Sequence, residues 1–127
     1  MESPRLEYMC GIVGYVGSGD CQDILMSCLA RLEYRGYDSA GLAIVQPNGN
    51  LWSQKRAGKL KVLSDHLSSL PPVLGQVGVA HTRWATHGEP NDTNAHPHLA
   101  DGGKLALIHN GIIENYEELK SQLRSDG

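Results

Sequence analysis

Cysteine, arginine, asparagine and histidine stand in this chain at positions where each is capable of chemistry. Cys10 follows Met9 and opens a glycine-rich apolar stretch, CGIVGYVG. If the working polypeptide starts after Met9, Cys10 carries a thiol and a free α-amine on one residue. The thiolate is a strong nucleophile. The amine, with a reference pKa of about 7.7–8.0, is a general base near working pH and needs no histidine beside it. The segment HTRWATHG (His81 to Gly88) sets Arg83 beside Trp84, followed by Thr86 and His87. A guanidinium grips a carboxylate with a two-pronged geometry that lysine lacks, and a large aromatic can wall off water or act as a lid. Asn110-Gly111 follows an apolar run. A side-chain amide and the next backbone N–H make a two-donor pocket for a developing oxyanion, although Asn-Gly is also the commonest tight-turn dipeptide.

Other residues fit plainer roles. Cys21 and Cys28 flank or lie on an apolar helix stripe and read as packing residues. Five histidines fall between 81 and 109, and His96-Pro97-His98 looks like a metal pair. No cysteine or carboxylate stands at a recognised ligand spacing nearby, so no metal is expected, and the histidines read as loop-fixing hydrogen bonders.

The elements that must position these groups follow from periodicity. Residues 10–17 read as a strand. Asp20 is the expected N-cap of a helix over about 22–34, with Ile24, Leu25, Cys28, Leu29 and Leu32 at helical spacing. Arg35 to Gly41 reads as a loop and Leu42 to Val45 as a short strand. Pro47-Asn48-Gly49-Asn50 turns the chain into a hairpin partner, Leu51 to Ala57. A second helix over about 59–70 carries Leu60, Leu63, Leu67 and Leu70 on one stripe, stopped by Pro71-Pro72. Val77 to Thr82 is another strand, followed by a long polar loop from Arg83 to His98 whose length favours a functional role. Asp101-Gly102-Gly103 turns into a strand from Leu105 to His109, and Glu114 to Arg124 forms the last helix. The fold class is α+β with antiparallel hairpins. The strands appear too few to cover both faces of a sheet, which points to a piece of a longer domain.

Bulk properties narrow the function. The net charge of −3 lacks the basic surface a nucleic-acid binder needs. No apolar run reaches the roughly 20 residues of a membrane helix. The first residues, MESPRLEYM, contain no secretory h-region, and three cysteines form no disulfide framework. Together these point to the cytoplasm.

Five ordered segments resemble the glucosamine-6-phosphate synthase family, also called glutamine–fructose-6-phosphate aminotransferase (isomerizing): MCGIVGY from Met9, LEYRGYDSAG from Leu32, HTRWATHG from His81, NAHPH from Asn94 and HNGIIENY from His109. Amidophosphoribosyltransferases share the opening Cys-Gly-Ile but usually read differently at the second and third segments. The resemblance implies an N-terminal-nucleophile hydrolase fold, a four-layer αββα sandwich, here truncated. Residues 1–9 become a leader, propeptide or misassigned start, and 10–127 the front of a class II glutamine amidotransferase domain. Cys10 would attack the glutamine amide, with Asn110 and the Gly111 N–H holding the oxyanion. Arg83 would clamp the α-carboxylate, and Trp84, Thr86 and His87 would lie in the loop that closes over glutamine.

No cofactor is implied. The ammonia would go to fructose 6-phosphate on a C-terminal isomerase domain absent from this chain, and the full-length protein would be a homo-oligomer. The family's acidic residue for the substrate amine also lies beyond Gly127, so the segment alone is not expected to complete the synthesis. Three alternatives stay open: another ammonia acceptor, a glutamine-binding remnant without turnover, and a small histidine-rich metal protein.

Overall fold

The computed structural model describes residues 10–33, 38–84 and 91–127. Nine elements run in the order β1 (Gly11–Val16), α1 (Gln22–Leu32), β2 (Ser39–Val45), β3 (Leu51–Ala57), α2 (Leu60–Ser68), β4 (Val77–Arg83), β5 (His98–Ala100), β6 (Leu105–Leu107) and α3 (Tyr116–Asp126). A short 3-10 turn, Asp101–Gly103, joins β5 to β6. Four strands form an antiparallel sheet in the order β1-β4-β2-β3, and β5 and β6 form a separate hairpin. The fold is α+β, as the periodicities imply.

Helices α1 and α2 pack on one face of the large sheet. Leu25 and Leu29 of α1 and Leu60, Leu63 and Leu67 of α2 meet Ala40, Leu42, Ile44 and Ala80 in one buried cluster. Alternate residues of a strand point to opposite faces. The other face of β2 and β4 therefore carries Ser39, Gly41, His81 and Arg83. That face is covered in part by the segment 91–97. Lys55 Nζ of β3 donates to the carbonyls of Ala95 at 2.8 Å and Thr93 at 3.3 Å, and Asp92 Oδ1 accepts from the Ala57 N–H at 2.6 Å. Gly41 is what lets the segment approach, because a Cβ there would run into the His96 carbonyl.

Several expectations need correcting. Asp20 is not the cap of α1. The N-cap position is Cys21, without a side-chain cap bond, and the Asp20 carboxylate instead accepts from the Gly75 N–H at 3.0 Å, tying the helix start to the approach to β4. Strand β2 begins at Ser39 rather than Leu42. Ser39, Ala40 and Gly41 look loop-like in composition, but pairing with both β3 and β4 draws them into the sheet. Arg83 likewise belongs to β4, which runs one residue past the expected Thr82. Strand β6 stops at Leu107. Of the α1 stripe, Leu25 and Leu29 are buried while Ile24 is 39% exposed. Cys21 lies in the core, as its packing role requires.

The hairpin β2–β3 and the helix α2 fall where the sequence places them. Of the four expected layers, the described residues show one helical layer on the main sheet and a two-stranded piece of a second. Among the described residues no helix is long and apolar enough to cross a membrane.

Candidate active site

Strand register assembles the site. In the β1–β4 pairing Gly11 lies opposite Thr82, so Cys10, one residue before β1, meets the end of β4. The Trp84 N–H donates to Cys10 Sγ at 3.3 Å, and the thiol reaches the Trp84 carbonyl at 3.7 Å. Arg83 is the last residue of β4, paired across the sheet with Ser39, and its Nη1 donates to the Asn94 carbonyl at 3.2 Å. The guanidinium is thereby braced against the segment that covers this face.

These residues share one cavity of about 460 Å3, which Cys10, Arg83, Trp84, Asn94, Asn110 and Gly111 line together with His98, His109 and Tyr116. A cavity of similar size, about 510 Å3, lies between the Pro47 turn and Pro71-Pro72, but its walls hold no nucleophile and no titratable side chain. The side chains capable of chemistry therefore line the first cavity. Of the seven residues singled out in the sequence, the structure brings five into that one cavity: Cys10, Arg83, Trp84, Asn110 and Gly111. Thr86 and His87 lie outside the described residues.

A second layer of polar residues supports the first. His81 is fully buried and its Nε2 lies 2.5 Å from Asn110 Oδ1. The ring of His96 lies against that of His81 with centroids 4.4 Å apart and planes tilted by 60°, and His98 lies against His96 at 4.3 Å and 58°. Burial pushes the His81 imidazole below its ordinary pKa, with the Asn110 hydrogen bond acting in the opposite sense and Arg83 and His98 adding to the depression. His96 is pushed down to about 4, first by burial and then by the neighbouring His81, His98, Arg83 and Lys55. Burial lowers His98 as well, aided by Lys55 and Arg83. Desolvation next to cations disfavours the imidazolium, so the three rings are neutral near pH 7.

Among the described residues no group of three or more His, Cys, Asp or Glu side chains is arranged to hold a metal ion. Sequence reasoning passed over His81 and Asn94 as site residues. The alternation of β4 holds the signal for His81, since it lies two residues before Arg83 and so on the same face. The part of Asn94, whose backbone carbonyl does the work, has no side-chain signature.

Comparison with known proteins places this geometry. The chain is 58% identical over 118 residues to a glutamine–fructose-6-phosphate aminotransferase (isomerizing) of Leifsonia xyli, covering 93% of this chain and 19% of that protein. It is 59% identical over 115 residues to the enzyme so named in Photorhabdus laumondii, covering 91% of this chain and 18% of the relative. With the Thermus thermophilus enzyme it shares 56% over 119 residues, covering 94% of this chain and 19% of the relative. The chain thus spans about a fifth of the length of the curated relatives it matches. Among solved structures, the glutamine phosphoribosylpyrophosphate amidotransferase of B. subtilis, in complex with ADP and GMP, superposes with a TM-score of 0.73 at 27% identity, over 94% of this chain and 25% of that one. No protein-family model matches the chain. The chain is related in sequence to the glutamine–fructose-6-phosphate aminotransferases, and its fold is that of the N-terminal-nucleophile hydrolases.

Proposed function

We propose that this relative of the glutamine–fructose-6-phosphate aminotransferases is the front part of a glutaminase domain, that its working polypeptide begins at Cys10, and that Cys10 is the nucleophile. The observation that carries the reading is the cavity shared by Cys10, Arg83, Asn110 and Gly111. It gathers a sulfur nucleophile, a carboxylate clamp and a pair of oxyanion donors at the scale of one amino acid.

The chemistry follows from these groups. Arg83 binds the glutamine α-carboxylate through its planar fork. The Cys10 α-amine takes the thiol proton, and Sγ attacks the side-chain amide carbon. The carbonyl oxygen becomes an oxyanion, held by the Asn110 amide and the Gly111 N–H. Collapse breaks the C–N bond, and the proton on the α-amine passes to the leaving ammonia. Water then hydrolyses the glutamyl thioester, releasing glutamate and restoring the thiol. Trp84, with Thr86 and His87 after it, closes over bound glutamine and keeps ammonia from solvent. An amide nitrogen cannot serve as the base, so residues 1–9 must be absent from the active form. The likeness to the named aminotransferases favours fructose 6-phosphate as the ammonia acceptor, bound by a further domain.

The test is the full-length protein trimmed to begin at Cys10, assayed for glutamate release. Cys10→Ala removes the sulfur but leaves the amine, and is expected to abolish glutamine hydrolysis. Undiminished turnover in that variant, or full activity with residues 1–9 still attached, rules the mechanism out.

A further inference from the structure

Asn110 is useful as an oxyanion donor only if its NH2 end faces the cavity. An asparagine amide is nearly symmetric in shape and turns over at little steric cost, so something must set its sense. The partner on the page is His81. Its ring is fully buried, its Nε2 lies 2.5 Å from Asn110 Oδ1, and its Nδ1 is buried without a hydrogen-bond partner among the described residues.

That asymmetry fixes the tautomer. A neutral imidazole carries one N–H. A proton on Nδ1 would be a buried donor with nothing to bond, while Nε2 would present a lone pair to the Asn110 oxygen. A proton on Nε2 satisfies Asn110 Oδ1 and leaves only a bare acceptor at Nδ1, the more tolerable orphan. The surroundings also hold the ring in place. Gly41, the cross-strand partner of His81, has no Cβ, and so the His96 backbone can close over this face with its ring tilted against that of His81.

We propose that His81 is a positioning residue for the glutaminase reaction: as the Nε2–H tautomer it donates to Asn110 Oδ1 and so turns the Asn110 NH2 toward the cavity that holds Cys10. It touches neither substrate nor sulfur. This assignment rests on the glutaminase reading above and adds to it the group that sets the polarity of the oxyanion pocket. Because the oxyanion forms only once Sγ has attacked and is absent from bound glutamine, the effect belongs to kcat and not to the binding of glutamine.

Two measurements test it on the full-length protein trimmed to begin at Cys10. In 15N NMR of the histidine rings, His81 is expected to carry its proton on Nε2 with Nδ1 bare, and the opposite tautomer overturns the assignment whatever the activity. In kinetics, His81→Leu and His81→Asn remove a donor at the Nε2 position and are expected to lower kcat by about 10- to 100-fold, short of or at the loss seen when an oxyanion donor is deleted, with the glutamine KM within about twofold. His81→Gln restores an N–H near Nε2 and is expected to recover most of the turnover. A merely structural histidine would not distinguish Gln from Asn, and equal losses in the two variants overturn the proposal. An active wild type with an equally active His81→Leu overturns this assignment alone. A wild type that releases no glutamate overturns the glutaminase reading, and this assignment with it.

Discussion

The two faces of the four-stranded sheet are built on opposite principles. The helical face is dry and closed by shape: Leu42, Ile44 and Ala80 meet Leu25, Leu29 and Leu63, all fully buried. The opposite face is closed by polar contacts. There Lys55 and Asp92 pin the segment 91–97 to β3, Arg83 grips the Asn94 carbonyl, and three neutral histidines lie ring against ring. Neighbouring residues of one strand serve both faces, as Ala80 and His81 do on β4. The apolar face supplies a rigid platform, and the polar face spends its hydrogen bonds on orienting groups. Mutations should therefore act differently on the two sides.

The largest loss of stability is expected on the dry face. Leu63→Ala removes a side chain with no solvent exposure and leaves a cavity between α2 and the sheet, at a cost of about 2–5 kcal/mol. Denaturant titration at neutral pH measures it. A cost under about 1 kcal/mol would mean that this face relaxes around the gap, contrary to its close packing.

The polar face should respond to pH instead. In the unfolded chain a histidine titrates near 6.5, whereas in the fold His96, only 8% exposed, is pushed down to about 4. The unfolded state then binds the extra proton between these values. Stability is full above about pH 6.5, declines as pH falls toward about 4, and levels off below that. The whole window corresponds to about 3 kcal/mol for His96 alone. Burial sets it first, and the neighbouring His81, His98, Arg83 and Lys55 add to it. Urea midpoints from pH 7.5 to 4.5 should fall less steeply in His96→Gln than in the wild type. Parallel pH profiles would show that His96 is not the titrating group.

Gly41→Ala probes the join between the faces. Its added methyl meets the backbone carbonyl of His96, which cannot rotate away as a side chain tip would. The expected cost is about 1–3 kcal/mol, accompanied by a shift in the His96 and His81 ring signals. A stability loss that leaves those signals unmoved would place the strain elsewhere.

The same contrast explains what could be read from the chain in advance. The helical face was legible because it obeys periods: the 3.6-residue repeat of Leu60, Leu63 and Leu67, and the turn chemistry of Pro47 to Asn50, locate α2 and the β2–β3 hairpin. Individual site residues were legible because their types carry chemistry, as with Cys10 and Arg83. What was hidden depends on pairing across long separations. Ser39, Ala40 and Gly41 look like loop until β3 and β4 flank them. Asp20 looks like a cap until Gly75 offers its N–H. His81 looks like one histidine among several until the sheet places it behind Asn110.

Helix α3 sharpens the point with the smallest expected effect. Tyr116, Leu119 and Leu123 recur at helical spacing much as Leu60, Leu63 and Leu67 do, and a sequence reading treats the two stripes alike. Yet α3 buries no residue, and Leu123 is 70% exposed and Leu119 40%. Periodicity says that a helix has an apolar side; only a sheet laid against that side makes it a core. Leu123→Ala deletes the same atoms as Leu63→Ala but removes almost no buried surface, and alanine is itself a good helix former. Its cost should stay within about 0.5 kcal/mol, measured in the same denaturant titration. Were it to match Leu63→Ala, the α3 stripe would have to be covered in the working molecule, and the distinction between the two helices would be one of partners and not of sequence.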